Sequence, residues 1–375
     1  MDSRMYALPQ VGSEMDEAYL AAALTRAGGK CDPGALTLAL LADGRQSSPV
    51  WSLKSPSGAA YVLKIFSREN WRNPILGDGN IEARLFANGV MRTLPAPLFV
   101  PSIDLAFHPG RDEIWMLMED VSAGILPRGA FDEEKARWML SAFAALHARY
   151  WEKAEELAAL PLLSLEANIA VILEPILAFG GRRPAEGWRG AGLEKITVLK
   201  PMLPILFDVL GPADTEYFLD LGDHRQDWVR VFAEAPHTFC HGDIRRANLA
   251  LFSPDRIVAF DWDMASNAPA ALDLAWYWFL QFWAYPATDG RHVADREPLL
   301  AYYMDRLAHH LGRRFDRRTF ERSFDLAWLK VFLQLGFCLI DPISGKHSAE
   351  DRARVGALVR QAMDEAKRIH DKHVH

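Results

Sequence analysis

The chain has 375 residues, half of them apolar and 24% charged, with a net charge of −7. That length exceeds one small core and predicts two lobes, and the acidic balance excludes a general nucleic-acid binder. The three cysteines, Cys31, Cys240 and Cys338, form neither a disulfide framework nor a zinc pattern and fit a reducing cytoplasm. The opening "MDSRMYALPQVG" lacks the plan of a signal peptide, and no window approaches the roughly 18 apolar residues of a membrane span.

Residues 14 to 27, "EMDEAYLAAALTRA", read as an alanine-rich helix ended by Gly28-Gly29. Three short apolar runs follow, "ALTLALLA", "PVWSLKS" and "AAYVLKIF", separated by turn formers, and predict a meander of three strands. "NIEARLFANGVMRT" reads as a helix. "LFVPSIDLAFH" and "EIWMLMEDV" read as two more strands joined by "PGRD". Residues 30 to 121 thus hold five strands, with one helix after the third.

Beyond residue 121 the pattern turns helical. In "FDEEKARWMLSAFAALHARYW", Met139, Phe143, Leu146 and Tyr150 share one helix face, with Asp132 as N-cap. Residues 160 to 236 form a second helical block, interrupted by "GGRRPAEGWRGAG" at 180 to 192. "LALFS", "PDR" and "IVAFD" make a tight hairpin, and four further helices occupy the chain from 270 onward. The expected fold is α+β: a small antiparallel sheet lobe over residues 1–121, then a larger, mainly helical lobe over 122–375.

Chemistry concentrates in "HGDIRRANLALFSPDRIVAFDWDMASNAPAALDLAWYW", residues 241 to 278. Asp243 and Asn248 are spaced D-x-x-x-x-N after His241, and Asp261 closes the hairpin. Phosphoryl transfer needs such a set: a carboxylate to orient a hydroxyl and take its proton, and an amide oxygen with a second carboxylate for Mg²⁺. Buried carboxylates are costly unless paired or coordinated, and a metal would compensate them.

"HGDIRRAN", then "VAFDWDMA", then "LDLAWYW" resembles the aminoglycoside phosphotransferase superfamily, which includes choline kinase-like and ecdysteroid kinase-like enzymes and shares the protein-kinase fold. The resemblance spans roughly residues 30 to 340. It implies a two-lobed, ATP-dependent phosphotransferase acting on a small hydroxyl compound, with Asp243 as base, Asn248 and Asp261 as metal ligands, and Asp273 as a structural acid. Asp263 sits two residues past the metal ligand, where the family often has an acid. Arg245 stands where it could hold the transferring phosphoryl, or equally pair with Asp263 or another acid. Arg246 is expected on the surface, and His147 in the core.

The same resemblance calls for a lysine on the third strand and a glutamate on the next helix. Lys64 and Glu82 occupy those places, with Glu69 a competitor for the pairing. Instead of a glycine-rich G-x-G-x-x-G, the nucleotide loop reads "ADGRQSSPVW". There Gly44, Ser47 and Ser48 could meet phosphate oxygens, or simply form a polar turn. "IWMLMEDV" resembles the family's hinge, whose Glu119 and Val121 backbone would bracket adenine beside Met116 or Met118. Trp276, Tyr277, Trp278, Phe279, Phe282, Trp283 and Tyr285 are mostly core by helical spacing. Segment 180 to 192, with Arg182, Arg183, Trp188 and Arg189, is either a lid or a connector. A catalytically silent nucleotide-binding scaffold is disfavoured because Lys64, Asp243, Asn248 and Asp261 are all present. A protein kinase is disfavoured because "FDWDMASNAPAALDLA" leaves almost no room for an activation loop.

Overall fold

Alternating side chains on strand "AYVLKIFS" organise the front lobe. The computed structural model describes residues 17–26, 37–42, 49–54, 60–67, 72–73, 77–78, 80–127, 131–184, 201–284, 296–340 and 348–373. In it β1 (Thr37–Ala42), β2 (Val50–Lys54) and β3 (Ala60–Ser67) form the expected meander. β4 (Arg72–Asn73) and β5 (Gly77–Asp78) make a minimal hairpin that the sequence did not suggest. The five-stranded sheet runs β1-β2-β3-β8-β7, with β7 at Ser102–His108 and β8 at Glu113–Glu119. On one face, Leu63 and Ile65 pack with Trp115, Leu117 and helix α1 (Glu17–Arg26). Leu20 and Leu24 of α1 are fully buried there, each worth about 2 kcal/mol of apolar transfer. The other face carries Phe66, Met116 and Met118 into the main core, and Lys64 lies opposite Met116 in register.

Helix α2 (Ile81–Asn88) follows and ends at Gly89, whose φ of 86° only glycine adopts easily. The expected long helix over 80–93 is therefore an α-helix plus a short 3₁₀ turn at Val90–Arg92. The expected strand 98–108 is also two pieces. β6 (Leu98–Phe99) leaves the front sheet and pairs in parallel with β11 (Arg256–Ala259) of the rear lobe. Pro101 separates it from β7, since a proline cannot donate to a ladder; the Pro101 carbonyl instead accepts the Glu119 N–H at 2.8 Å.

In the rear lobe Asp132 caps α3 (Glu133–Tyr150) as expected, accepting from the Lys135 N–H. Met139, Phe143, Leu146 and Tyr150 of α3 are buried. After α4 (Ala154–Ala158), the second helical block comprises α5 (Leu165–Phe179), α6 (Leu203–Asp223, kinked at Gly211) and α7 (Arg225–Glu234). β10 (Leu249–Ser253) and β11 form the expected hairpin. Helix α8 (Ala271–Phe279) runs into a π-helical turn over Leu280–Ala284. The last helices are α9 (Arg296–Leu311), α10 (Arg317–Leu335) and α11 (Ala349–His373). β9 (His237–Cys240) and β12 (Ser266–Pro269) pair antiparallel, and this pair was not anticipated. It matters because β9 ends where "HGD" begins. Only six residues separate Asp263 from Ala270, so the chain enters α8 without a long activation segment. Among the described residues no helix is long and apolar enough to cross a membrane.

Candidate active site

The loop after β9 is held from beneath by one carboxylate. Asp273, in the first turn of α8, accepts the N–H groups of His241 and Gly242, both at 2.6 Å. It also meets His147 Nε2 at 3.1 Å, while His147 Nδ1 contacts the Tyr303 hydroxyl at 2.6 Å. His147 is thus a buried structural residue, as its position in α3 suggested. Gly242 has φ 85°, and a Cβ there would lie 1.9 Å from the Met264 carbonyl oxygen, so no other residue fits. The His241 ring packs 4.3 Å from Trp262. Its Nε2 reaches the Phe260 carbonyl at 3.1 Å and its Nδ1 accepts the Asp243 N–H at 3.2 Å. Burial lowers the His241 pKa and keeps the ring neutral, the state that lets it donate at one nitrogen and accept at the other.

These bonds present Asp243. Its Oδ1 accepts from Trp276 Nε1 at 2.6 Å and its Oδ2 from Asn248 Nδ2 at 2.9 Å. Arg245 Nε stands 3.2 Å from the same Oδ2. Burial pushes the Asp243 pKa up to about 6, against the pull of Arg245 and with a further push from Asp261. Asn248 is buried; it also donates to the Asp243 carbonyl at 3.0 Å and accepts from Arg245 Nε at 3.2 Å. Arg245 therefore pairs with Asp243, the other acid that the salt-bridge reading allowed, and with Asn248. Arg246 is not a surface residue. It is half-buried and donates to the Leu126 carbonyl from the 3₁₀ turn Arg246–Asn248.

A second cluster joins the lobes. Lys64 Nζ lies 2.7 Å from Glu82 Oε2, 2.9 Å from Asp261 Oδ1 and 3.3 Å from Asp263 Oδ2. Burial alone would lower the Lys64 pKa, but Asp261, Asp263 and Glu82 together raise it well above the ordinary lysine value. Asp261 is held low chiefly by Lys64. Its φ of 65° is a conformation that aspartate tolerates better than most residues. In return the Asp261 N–H donates to Glu82 Oε1 at 2.8 Å.

Carboxylate oxygens of Glu82, Asp261 and Asp263 lie within 4.8 Å of one another. An all-oxygen, net-negative set suits a hard divalent cation. Glu82 and Asp263 are already committed to Lys64 and to backbone N–H groups, whereas Asp261 Oδ2 takes no hydrogen bond among the described residues. Asp261, near Asn248 through the Phe260 N–H to Asn248 carbonyl bond at 3.1 Å, is thus the member with coordinating capacity to spare.

Glu119 and Val121 sit where the front lobe passes into the rear one. The Glu119 side chain is exposed and forked with Arg256 at 2.8 and 3.0 Å. Val121 packs with Ala250 and Val258, and its carbonyl accepts the Gly124 N–H at 2.9 Å. Gly44, Ser47 and Ser48 of the expected nucleotide loop lie outside the described residues, as do Glu69, Trp188, Arg189 and Tyr285. Arg182 is tied to Glu216 and Asp220, and Arg183 to Asp223. Neither points to the carboxylate loop.

Sequence reasoning missed three groups. Trp276 was read only as one of a run of mostly core aromatics, yet it is the donor to Asp243. It lies three residues after Asp273, on the same helix face, and that spacing was the available signal. Asp263 was not expected to meet Lys64 and Glu82. Lys330 is buried, donates to Asn168 Oδ1 at 2.7 Å and lies 5.5 Å from the Trp276 ring centroid. Burial lowers its pKa to about 7.

A model described as the phosphotransferase enzyme family matches residues 37–310, well over half of the chain. No curated protein sequence matches. Solved structures of similar fold include an aminoglycoside phosphotransferase from Alicyclobacillus acidocaldarius, 14% identical, covering 89% of this chain and 90% of that one, TM-score 0.42. A choline kinase from Streptococcus pneumoniae is 12% identical over 93% and 98% of the two chains, TM-score 0.45. An ethanolamine kinase from Plasmodium vivax is 12% identical over 88% and 83%, TM-score 0.46.

Proposed function

The chain belongs to the phosphotransferase enzyme family, and from that premise we propose that it moves the γ-phosphate of ATP to a hydroxyl of a small molecule, with Mg²⁺. The observation that carries this reading is the buried Lys64–Glu82–Asp261 cluster, set beside a carboxylate loop whose Asp243 has a pKa of about 6. A base is most effective near the working pH, where it is ionised yet still basic. Asp243 takes the proton of the acceptor hydroxyl as its oxygen forms the new bond to phosphorus and the bond to the ADP leaving oxygen breaks. Trp276 and Asn248 hold the two Asp243 oxygens, so the carboxylate does not swing during the transfer. Arg245, partly exposed beside Asp243, offers charge to the transferring phosphoryl. Lys64 serves the nucleotide phosphates and Glu82 holds Lys64. Asn248 and Asp261 would hold Mg²⁺, which when bound neutralises phosphate charge. Glu119 and Val121 would frame adenine by their backbone, and Gly44, Ser47 and Ser48 would cover the phosphates. The lobe boundary falls at residues 121/122, and the three cysteines favour a reducing cytoplasm.

Calorimetric titration with Mg·ATP, followed by ADP release against a panel of alcohols, amino alcohols, sugars and sterols, tests this. Micromolar-to-millimolar nucleotide binding, with ADP release that depends on one acceptor and vanishes in Asp243→Asn, is expected. Absence of any Mg·ATP binding would remove the reading.

A further inference from the structure

Helix α2 carries Glu82, yet it begins without a cap of its own. Its N-cap residue, Asn80, is in the left-handed region at φ 57° and makes no side-chain cap bond, and its buried Oδ1 has no partner among the described residues. The helix has only eight residues, too few to be stable by propensity. The missing acceptor comes from the other lobe. Asp263 Oδ1 accepts the Glu82 N–H at 3.2 Å, the second helical N–H, which an N-cap side chain ordinarily takes. Its other oxygen faces Lys64 at 3.3 Å. The exchange is reciprocal, because Glu82 Oε1 accepts the Asp261 N–H. Two residues of the rear lobe and one of the front lobe thus exchange backbone and side-chain bonds, much as a capping box does within one helix.

We propose that Asp263 is a positioning residue: it caps α2 across the lobe boundary and so fixes Glu82 on Lys64. The carboxylate also places negative charge at the positive end of the helix. Its effect on nucleotide binding rests on the function proposed above; the cap itself does not.

The test uses the full chain with Asp263→Ala, Asp263→Asn and Asp263→Ser. Amide hydrogen exchange of residues 81–84 is followed without nucleotide, and Mg·ATP affinity is measured by calorimetry. In Asp263→Ala the Glu82 amide should exchange about tenfold faster, and Mg·ATP affinity should fall several-fold. Asn keeps an acceptor at the same reach and should restore most of both, whereas the Ser hydroxyl stops one bond short of the Glu82 N–H and should behave like Ala. Unchanged exchange in Asp263→Ala, or equal acceleration in Ala and Asn variants, overturns the cap. Equal loss of affinity in Ala and Asn, with exchange restored only by Asn, would make Asp263 a cation ligand and overturn its positioning role. If the wild type binds no Mg·ATP, the proposed function fails, and amide exchange still decides the cap.

Discussion

Replacing Asp243 by Asn separates what that carboxylate costs the fold from what it does for catalysis. Only 15% of the side chain is exposed, so solvent screens its charge weakly. Its pKa rises from 3.8 in the unfolded chain to about 6 in the fold. A raised carboxylate pKa means that the native state holds the proton more tightly. The associated stability is fully present below pH 3.8 and is lost as pH rises through about 6. About two units correspond to about 3 kcal/mol at pH 8, but only about 0.5 kcal/mol at pH 4. Asn mimics the neutral form at every pH. It also sets an amide N–H₂ against Asn248 Nδ2 or Arg245, a pH-independent loss of about 1–2 kcal/mol. That loss cancels when two pH values are compared. Urea unfolding of both proteins at pH 4 and pH 8 should show the variant gaining about 2.5 kcal/mol relative to wild type between them. With an acceptor in hand, turnover should fall by about 10²- to 10⁴-fold, while Mg·ATP still binds. A stability difference that is the same at both pH values would refute the buried, proton-holding Asp243.

Rate should decline as pH falls through about 6, because protonated Asp243 cannot accept the hydroxyl proton; a flat profile from pH 5 to 8 contradicts the base assignment. Trp276→Phe deletes the indole donor that favours ionised Asp243, so the acidic limb of that profile should move to higher pH, and an unmoved limb removes the role of Trp276. Asp261→Asn keeps a residue that tolerates φ 65° but takes a charge partner from buried Lys64, so calorimetry should show weaker Mg·ATP binding and a thermal melt a lowered melting temperature. Lys330, held near a pKa of 7 against 10.5 unfolded, makes wild-type stability rise with pH between 7 and 9, by about 2 kcal/mol. Lys330→Met should abolish that rise, and an equal slope in both proteins counts against the buried lysine.

What the sequence made legible was whatever repeats or is local. Strand alternation put Leu63 and Ile65 on one face and Lys64 on the other, and the sheet keeps that division. The Asp132 cap and the buried face of α3 followed from spacing alone. The ordered motifs located the loop, and the fold brings Lys64, Glu82 and Asp261 together, as it does Asp243 and Asn248. Short strands escaped notice because four residues such as "SNAP" carry no period, and one ends in proline.

The contacts that escaped are those made in trans. An indole N–H inside a run of buried aromatics looks like packing until the loop it faces is known, and Trp276 donates across 33 residues of chain. Asp263 acts on a helix 181 residues away, at a terminus whose own cap residue, Asn80, makes no side-chain cap bond. Asn80 fails as a cap because its backbone is left-handed, whereas a capping side chain reaches back from an extended backbone. The order "DWD" therefore holds two acids with different roles. Asp261, at positive φ, turns its carboxylate to Lys64 and its N–H to Glu82. Two residues on, Asp263 returns to the same side and meets the helix end. The sharp turn at Asp261 is what lets one short segment hold both the lysine and the helix that positions it.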